Sequence, residues 1–138
     1  MWYYKGEEFT SEMIEDYVGF VYLITDRSND KKYVGKKLLT SKRKLPPLKG
    51  KTRRRTVVKE TDWQKYYGSS EEVQLMVEEK GADNFHREII TLCKSKGELG
   101  YLEAKYQFEH DVLLRDDYYN GIIQCKIHRN HIRSLKNS

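Results

Sequence analysis

Two short apolar runs joined by a polar turn stand out in residues 19–37, GFVYLITDRSNDKKYVGKK. Val21, Tyr22, Leu23 and Ile24 form one short run, and Tyr33 with Val34 a second. Both are rich in the β-branched and aromatic residues that fit a pleated surface. Ser28, Asn29 and Asp30 between them hydrogen-bond locally and tolerate unusual backbone angles, so a hairpin is predicted. Side chains alternate across a strand, so an even-numbered loop places Tyr22 and Tyr33 on one sheet face and an odd one separates them.

The remaining pattern predicts a helix, a strand and a second helix. Ser70 caps a helix running to about Lys80, with acids in its first turn and Gly81 as its stop. Phe85, Ile89, Ile90 and Leu92 mark a third strand over residues 84–93, with His86 and Arg87 pointing outward or lining a rim. Residues 95–115 read as a helix in which Leu99, Leu102, Tyr106, Leu113 and Leu114 share a stripe about 120° wide. Glu103 falls inside that stripe. An ionised carboxylate aimed at a core costs roughly 3–5 kcal/mol unless something pairs with it. Glu103 therefore calls for a metal ion, a cationic side chain or a cleft; an ion pair with the basic segment is the purely structural reading. At the N-terminus, Trp2, Tyr3 and Tyr4 are expected to cover a sheet edge, followed by a short helix capped by Thr10 or Ser11. Between the hairpin and the first helix, Pro46-Pro47 and Gly50 forbid a continuous helix, leaving a helical turn near residues 38–43 and then an extended loop. In TDWQKYYGSS, Trp63 and one of Tyr66 or Tyr67 are expected to plug the core, with stacking on a base as the alternative.

Charge changes this picture more than composition does. The chain has 138 residues, 38% hydrophobic and 34% charged, which suits one polar globular domain. Its net charge of +5 conceals a segregation. Residues 31–59 hold thirteen Lys or Arg and no acid, whereas the rest of the chain carries −8. Such asymmetry points to a polyanionic partner, because neutralised phosphates release counterions. No run approaches the roughly 20 apolar residues of a membrane span and no N-terminal signal is visible, so a cytoplasmic protein without membrane contact is expected. Cys93 and Cys125 make no disulfide framework. Cys93 reads as a core residue, and Cys125 with His128 and His131 is a weak metal spacing.

The pattern F-V-Y, a second Tyr eleven residues on, and Y-V-G resembles the paired signature of the GIY-YIG nucleases, with Phe20 where that family has its first Gly. Arg43 stands ten residues beyond Tyr33, similar to the family's catalytic Arg, with Arg53, Arg54 and Arg55 as rivals. Glu103 on the helix and Asn120 seventeen residues later complete the order. The resemblance implies a single α+β domain over residues 1–138: a small three-stranded, mostly antiparallel sheet flanked by helices. Its core spans about 19–123, with a basic insert at about 36–60 and a basic tail at 124–138. It implies a phage homing-type endonuclease acting on double-stranded DNA as monomer or homodimer, in the host cytoplasm if phage-encoded, with one Mg²⁺ or Mn²⁺ held by Glu103.

In that reading Arg43 donates to the phosphate as charge builds. Tyr22 or Tyr33 positions or deprotonates water, and Asn120 orients the Glu or nearby backbone. A free Tyr titrates near ~10, so a base at neutral pH needs its value lowered by about three units. Lys36, Lys37 and the metal are the available cations. Lys36, Lys37, Lys42, Lys44, Lys49, Lys51, Arg53, Arg54, Arg55 and Trp63 are the expected nucleic-acid contacts. The competing readings are a DNA-binding protein of the same fold without catalysis, and a small basic RNA-binding protein.

Overall fold

A computed structural model describes residues 1–136; the last two positions of the basic tail lie outside the described residues. A five-stranded sheet has the spatial order β2-β1-β7-β3-β4. Its strands are β1 (Trp2–Tyr4), β2 (Glu7–Glu8), β3 (Gly19–Asp26), β4 (Lys31–Leu38) and β7 (Phe85–Cys93). The predicted three strands form its centre. Of the two extra strands, β1 comes from the N-terminal aromatics and β2 from the two glutamates that follow, with β1 parallel to β7 and the other pairs antiparallel. Strands of two or three residues are too short to show a period, which is why they do not stand out in sequence. Trp2 is buried in the same core cluster as Phe20, Tyr22 and Ile89.

Asp26 pairs with Lys31 across a four-residue loop. The even loop places Tyr22 opposite Gly35 and Tyr33 opposite Ile24, on one face. That face carries Trp2, Phe9, Phe20, Tyr22, Ile24 and Trp63, which pack as an aromatic cluster. The opposite face, through Val21, Val34 and Cys93, packs on Leu99 of α2 (Lys96–Glu109). A β-bulge in the β3–β7 pairing, between Val21 and Tyr22, reverses the parity of β7. Phe85, Arg87 and Ile89 therefore join the aromatic side, while Cys93 joins the α2 side.

Four expectations change. Arg87 is buried rather than outward, because it sits at the same parity as Phe85 and Ile89. Its guanidinium lies 4.9 Å from the Trp2 ring and 4.1 Å from the Tyr67 ring, and donates to the Gln64 and Tyr66 carbonyls. Trp63 is 1% exposed, so it plugs the core as expected, and it is its place among the nucleic-acid contacts that falls, since no face is free for a base. The second helix stops at Glu109, not near Asp116; Asp111 turns the chain at φ 51°, leaving Leu113 and Leu114 exposed while Val112 fills the core. The basic insert is a two-stranded ribbon, β5 (Thr40–Leu45) against β6 (Arg55–Glu60), instead of a turn and loop. Helix α1 (Glu71–Lys80) starts and stops as expected, with Ser70 accepting from the Val73 amide and Gly81 at φ 88°.

Candidate active site

The site forms where strand β4 loses its neighbour. Residues 117–120 run beside the first half of β4: the Lys32 amide donates to Asp117 O, and the Tyr119 amide to Lys32 O. Asn120 then extends this pairing with its side chain, accepting from the Val34 amide at 3.0 Å and donating to Val34 O at 2.8 Å. Gln107 of α2 donates to the same carbonyl at 3.0 Å. Two amide side chains thus hold the backbone between Tyr33 and Gly35, and beyond them the edge opens at Gly35 and Lys36. Asn120 acts on the strand backbone; it makes no hydrogen bond to Glu103 among the described residues.

On one side of that edge lie the two tyrosines, ring centroids 6.1 Å apart. Tyr22 is fully buried, with its hydroxyl 3.5 Å from the Tyr66 hydroxyl. The Tyr33 side chain is partly accessible, its hydroxyl 3.1 Å from Ser69 Oγ. The loop of residues 66–69, following Trp63, thus lines the site, and nothing in its spacing announced Tyr66 or Ser69 as partners. Gly35 is required here because the Tyr22 ring lies over it. A Cβ at that position would stand 2.6 Å from Tyr22 Cζ and 3.0 Å from Tyr33 Cε1. Gly35→Ala is expected to displace both rings and cost about 2 kcal/mol, read as a lowered urea midpoint.

From the other side comes Glu103. Within α2, Leu99, Ala104 and Gln107 are buried, and Glu103 falls among them at helical spacing. The inward face is therefore rotated from the sequence stripe toward Glu103. Its side chain is 13% exposed, with Lys36 Nζ 3.8 Å from its carboxylate. Burial, only partly offset by Lys36, holds its carboxyl above the ordinary range. Burial also pushes the Tyr22 phenol well above its usual value, with Tyr66, Tyr33 and the Glu103 charge adding to it. Tyr33 is raised by burial too, against a hydrogen bond from Ser69 that works the other way. Both phenols therefore stay protonated, opposite to the direction a base at neutral pH needs.

Lys37 is paired with Asp62 at 2.7 Å and lies 4.4 Å from the Tyr66 ring centroid. Arg43 is exposed on the ribbon opposite Val57, with no hydrogen bond or ion pair to Tyr22, Tyr33 or Glu103 among the described residues. Lys42 and Lys44 flank it on β5, Arg55 lies on β6, and Lys49, Lys51, Arg53 and Arg54 lie in the exposed connection. Cys125, His128 and His131 form no metal cluster; the two histidines close a turn on each other's backbone amides.

Among models of protein families, residues 2–123 match the one described as "Putative endonuclease segE, GIY-YIG domain". The chain belongs to this GIY-YIG family. No curated protein and no solved structure matches it. The GIY-YIG match takes in the whole sheet, both long helices and Asn120, and ends before residues 124–136. It also includes the ribbon, which in this GIY-YIG chain occupies the stretch where sequence spacing puts an arginine. No helix among the described residues is long and apolar enough to cross a membrane.

Proposed function

We propose that this chain is a divalent-metal-dependent endonuclease that hydrolyses phosphodiester bonds of double-stranded DNA. The observation that carries the reading is Glu103: a mostly buried carboxylate beside a loosely placed ammonium, next to an open strand edge with a tyrosine hydroxyl. Membership of an endonuclease family supports it. The donor chemistry fits Mg²⁺ or Mn²⁺, which take hard oxygen ligands and need only one or two protein carboxylates. Glu103, the carboxylate beside the open strand edge, would be the protein ligand; no group of three His, Cys, Asp or Glu side chains gathers there or anywhere else among the described residues. When bound, such an ion neutralises developing charge on the phosphate.

The chain's own groups do the rest. Tyr33, accessible and held by Ser69, donates its hydroxyl hydrogen to a substrate oxygen or to the attacking water. Tyr22 is a positioning residue, buried beneath Tyr33 and fixing its ring through Gly35. Asn120 and Gln107 lock the strand that presents these groups. Lys36, half exposed and 3.8 Å from Glu103, supplies positive charge to a bound phosphate. Arg43 acts from the ribbon, alongside its neighbouring cations.

That ribbon is the proposed DNA grip. All six residues of β6 are exposed, and Lys42, Arg43 and Lys44 on β5 are exposed as well. A two-stranded ribbon fits the major groove, about 12 Å wide. Its base is closed by the Thr61 amide on Leu39 O at 2.9 Å and the Thr61 hydroxyl on Leu38 O at 2.6 Å. Replacing residues 42–58 with Asn-Gly, between the opposed Ser41 and Lys59, is expected to leave the domain folded and weaken duplex binding roughly 100-fold or more, with a flatter salt dependence.

Incubation with supercoiled plasmid in Mg²⁺ or in EDTA tests the whole reading. Nicked product only with metal supports it. Bound but uncut plasmid in both indicates a binding protein on the same fold, and a preference for folded RNA over duplex indicates an RNA partner.

A further inference from the structure

Behind Glu103 lies a second cationic feature. A pocket of about 280 Å³ opens between the first turns of α2 and the segment 124–131. Lys36, Lys96, Lys126 and His131 line it, together with Gly97 and Gly100, and no Asp or Glu is among its lining residues. Lys36 belongs to both places: its ammonium is 3.8 Å from Glu103 and 3.8 Å from where a Cβ on Gly100 would stand.

The wall supplied by segment 124–131 is built rather than draped. At Gly97 an added Cβ would stand 2.6 Å from His131 Cβ and 2.9 Å from His131 Cα, and would strike the His131 carbonyl. Only glycine allows the segment to lie against the helix there. The turn it brings is fixed by the His128 amide donating to His131 Nδ1 at 3.1 Å and the Asn130 amide to His128 Nδ1 at 3.1 Å. This segment follows the residues that match the family, 2–123.

We propose that this pocket binds a backbone phosphate of the DNA strand, adjacent to the phosphate held at Glu103. The proposal rests on the endonuclease reading of that site. Lys96 and Lys126, with no carboxylate among the lining residues, supply the charge for a phosphate, and Lys36, shared with Glu103 at 3.8 Å, bridges the pocket to the cutting position. Residues 124–131 are then a clamp on the substrate, not a passive tail.

The test measures binding of a labelled duplex oligonucleotide to the full chain in EDTA, across a salt series. Lys96→Ala with Lys126→Ala is expected to weaken binding roughly tenfold and to reduce the salt slope by about two. Gly97→Ala, which favours the helix yet displaces the segment, is expected to weaken binding in the same direction with no charge removed. Lys105→Ala, a charge lost from the same helix but paired with Glu109, serves as the control and is expected to bind as wild type. Unaltered binding in both the double variant and Gly97→Ala overturns the pocket. So does inorganic phosphate binding the wild type as tightly as the duplex, which assigns the site to free phosphate. Failure of the wild type to nick plasmid sinks the endonuclease reading separately, since this binding is read without cleavage.

Discussion

Glu103→Gln is expected to abolish metal-dependent nicking, by about 10³-fold or more, and at the same time to raise the melting temperature of the metal-free protein. The first effect follows from the proposed role of Glu103, because its loss removes the carboxylate that would hold a cation where charge develops on the phosphate. The second follows from the direction of its titration. Burial holds the Glu103 carboxyl above its ordinary range despite Lys36. In the window between the unfolded value, near ~4.3, and that raised folded value, the native state binds the extra proton. Stability therefore falls as pH rises through this window and stays lower above it. Glutamine lacks that loss. Added Mg²⁺ is expected to reverse the comparison: the wild type gains stability with the logarithm of the ratio of free ion to its dissociation constant, and the variant does not. Thermal melts at neutral pH, with EDTA and with Mg²⁺, read both signs. A wild type that Mg²⁺ fails to stabilise, or a variant that still nicks, removes the cation from Glu103.

Asp26→Ala is expected to destabilise the fold by about 3–5 kcal/mol, lowering Tm by roughly 10–20 °C. Asp26 ends β3 with a side chain 0% exposed. It accepts from Lys80 Nζ at 2.6 Å, Ser28 Oγ at 2.6 Å, Asn84 Nδ2 at 2.7 Å and Tyr119 OH at 2.7 Å. These tie the hairpin turn to α1, to the start of β7 and to the segment that carries Asn120. Burial opposes its ionisation, and the hydrogen bonds from Lys80, Ser28, Tyr119 and Asn84 outweigh burial, holding the carboxyl far below the usual carboxylate range. Its folded value lies below its unfolded one, so the stability it contributes is present above about pH 4 and is lost as pH falls from there. Urea unfolding of wild type and of Asp26→Asn between neutral pH and pH 3 checks this. The wild type should lose stability on acidification by more than the variant; parallel curves would show that Asp26 is not the group responsible.

Much of the site was legible because it is encoded locally. The turn residues between β3 and β4 announce the hairpin, whereas the Asp26–Lys31 pairing supplies the even loop that places Tyr22 and Tyr33 on one face. Ser70 and Gly81 mark the ends of α1 through capping groups a few residues away. The inward bias of Glu103 appears in the spacing of its own helix, and the thirteen cations of residues 31–59 are visible by counting. Arg87 was legible too, at the same parity as Phe85 and Ile89, but its charge argued for the surface. Only the cage of Trp2, Tyr67 and two backbone carbonyls makes its burial tolerable.

The sequence by itself determined the hairpin, the caps of α1 and the segregation of charge, because each depends on residues within a few positions of one another. Tertiary structure alone decided between the core and the base-stacking readings of Trp63, put Arg43 on an exposed ribbon with no hydrogen bond or ion pair to the tyrosines among the described residues, and brought Asn120 and Gln107 together at Val34. It also decided that residues 124–131 wall a pocket beside Lys36. Those outcomes join positions tens of residues apart, where many weak contacts are summed over the whole fold and no local periodicity records the result.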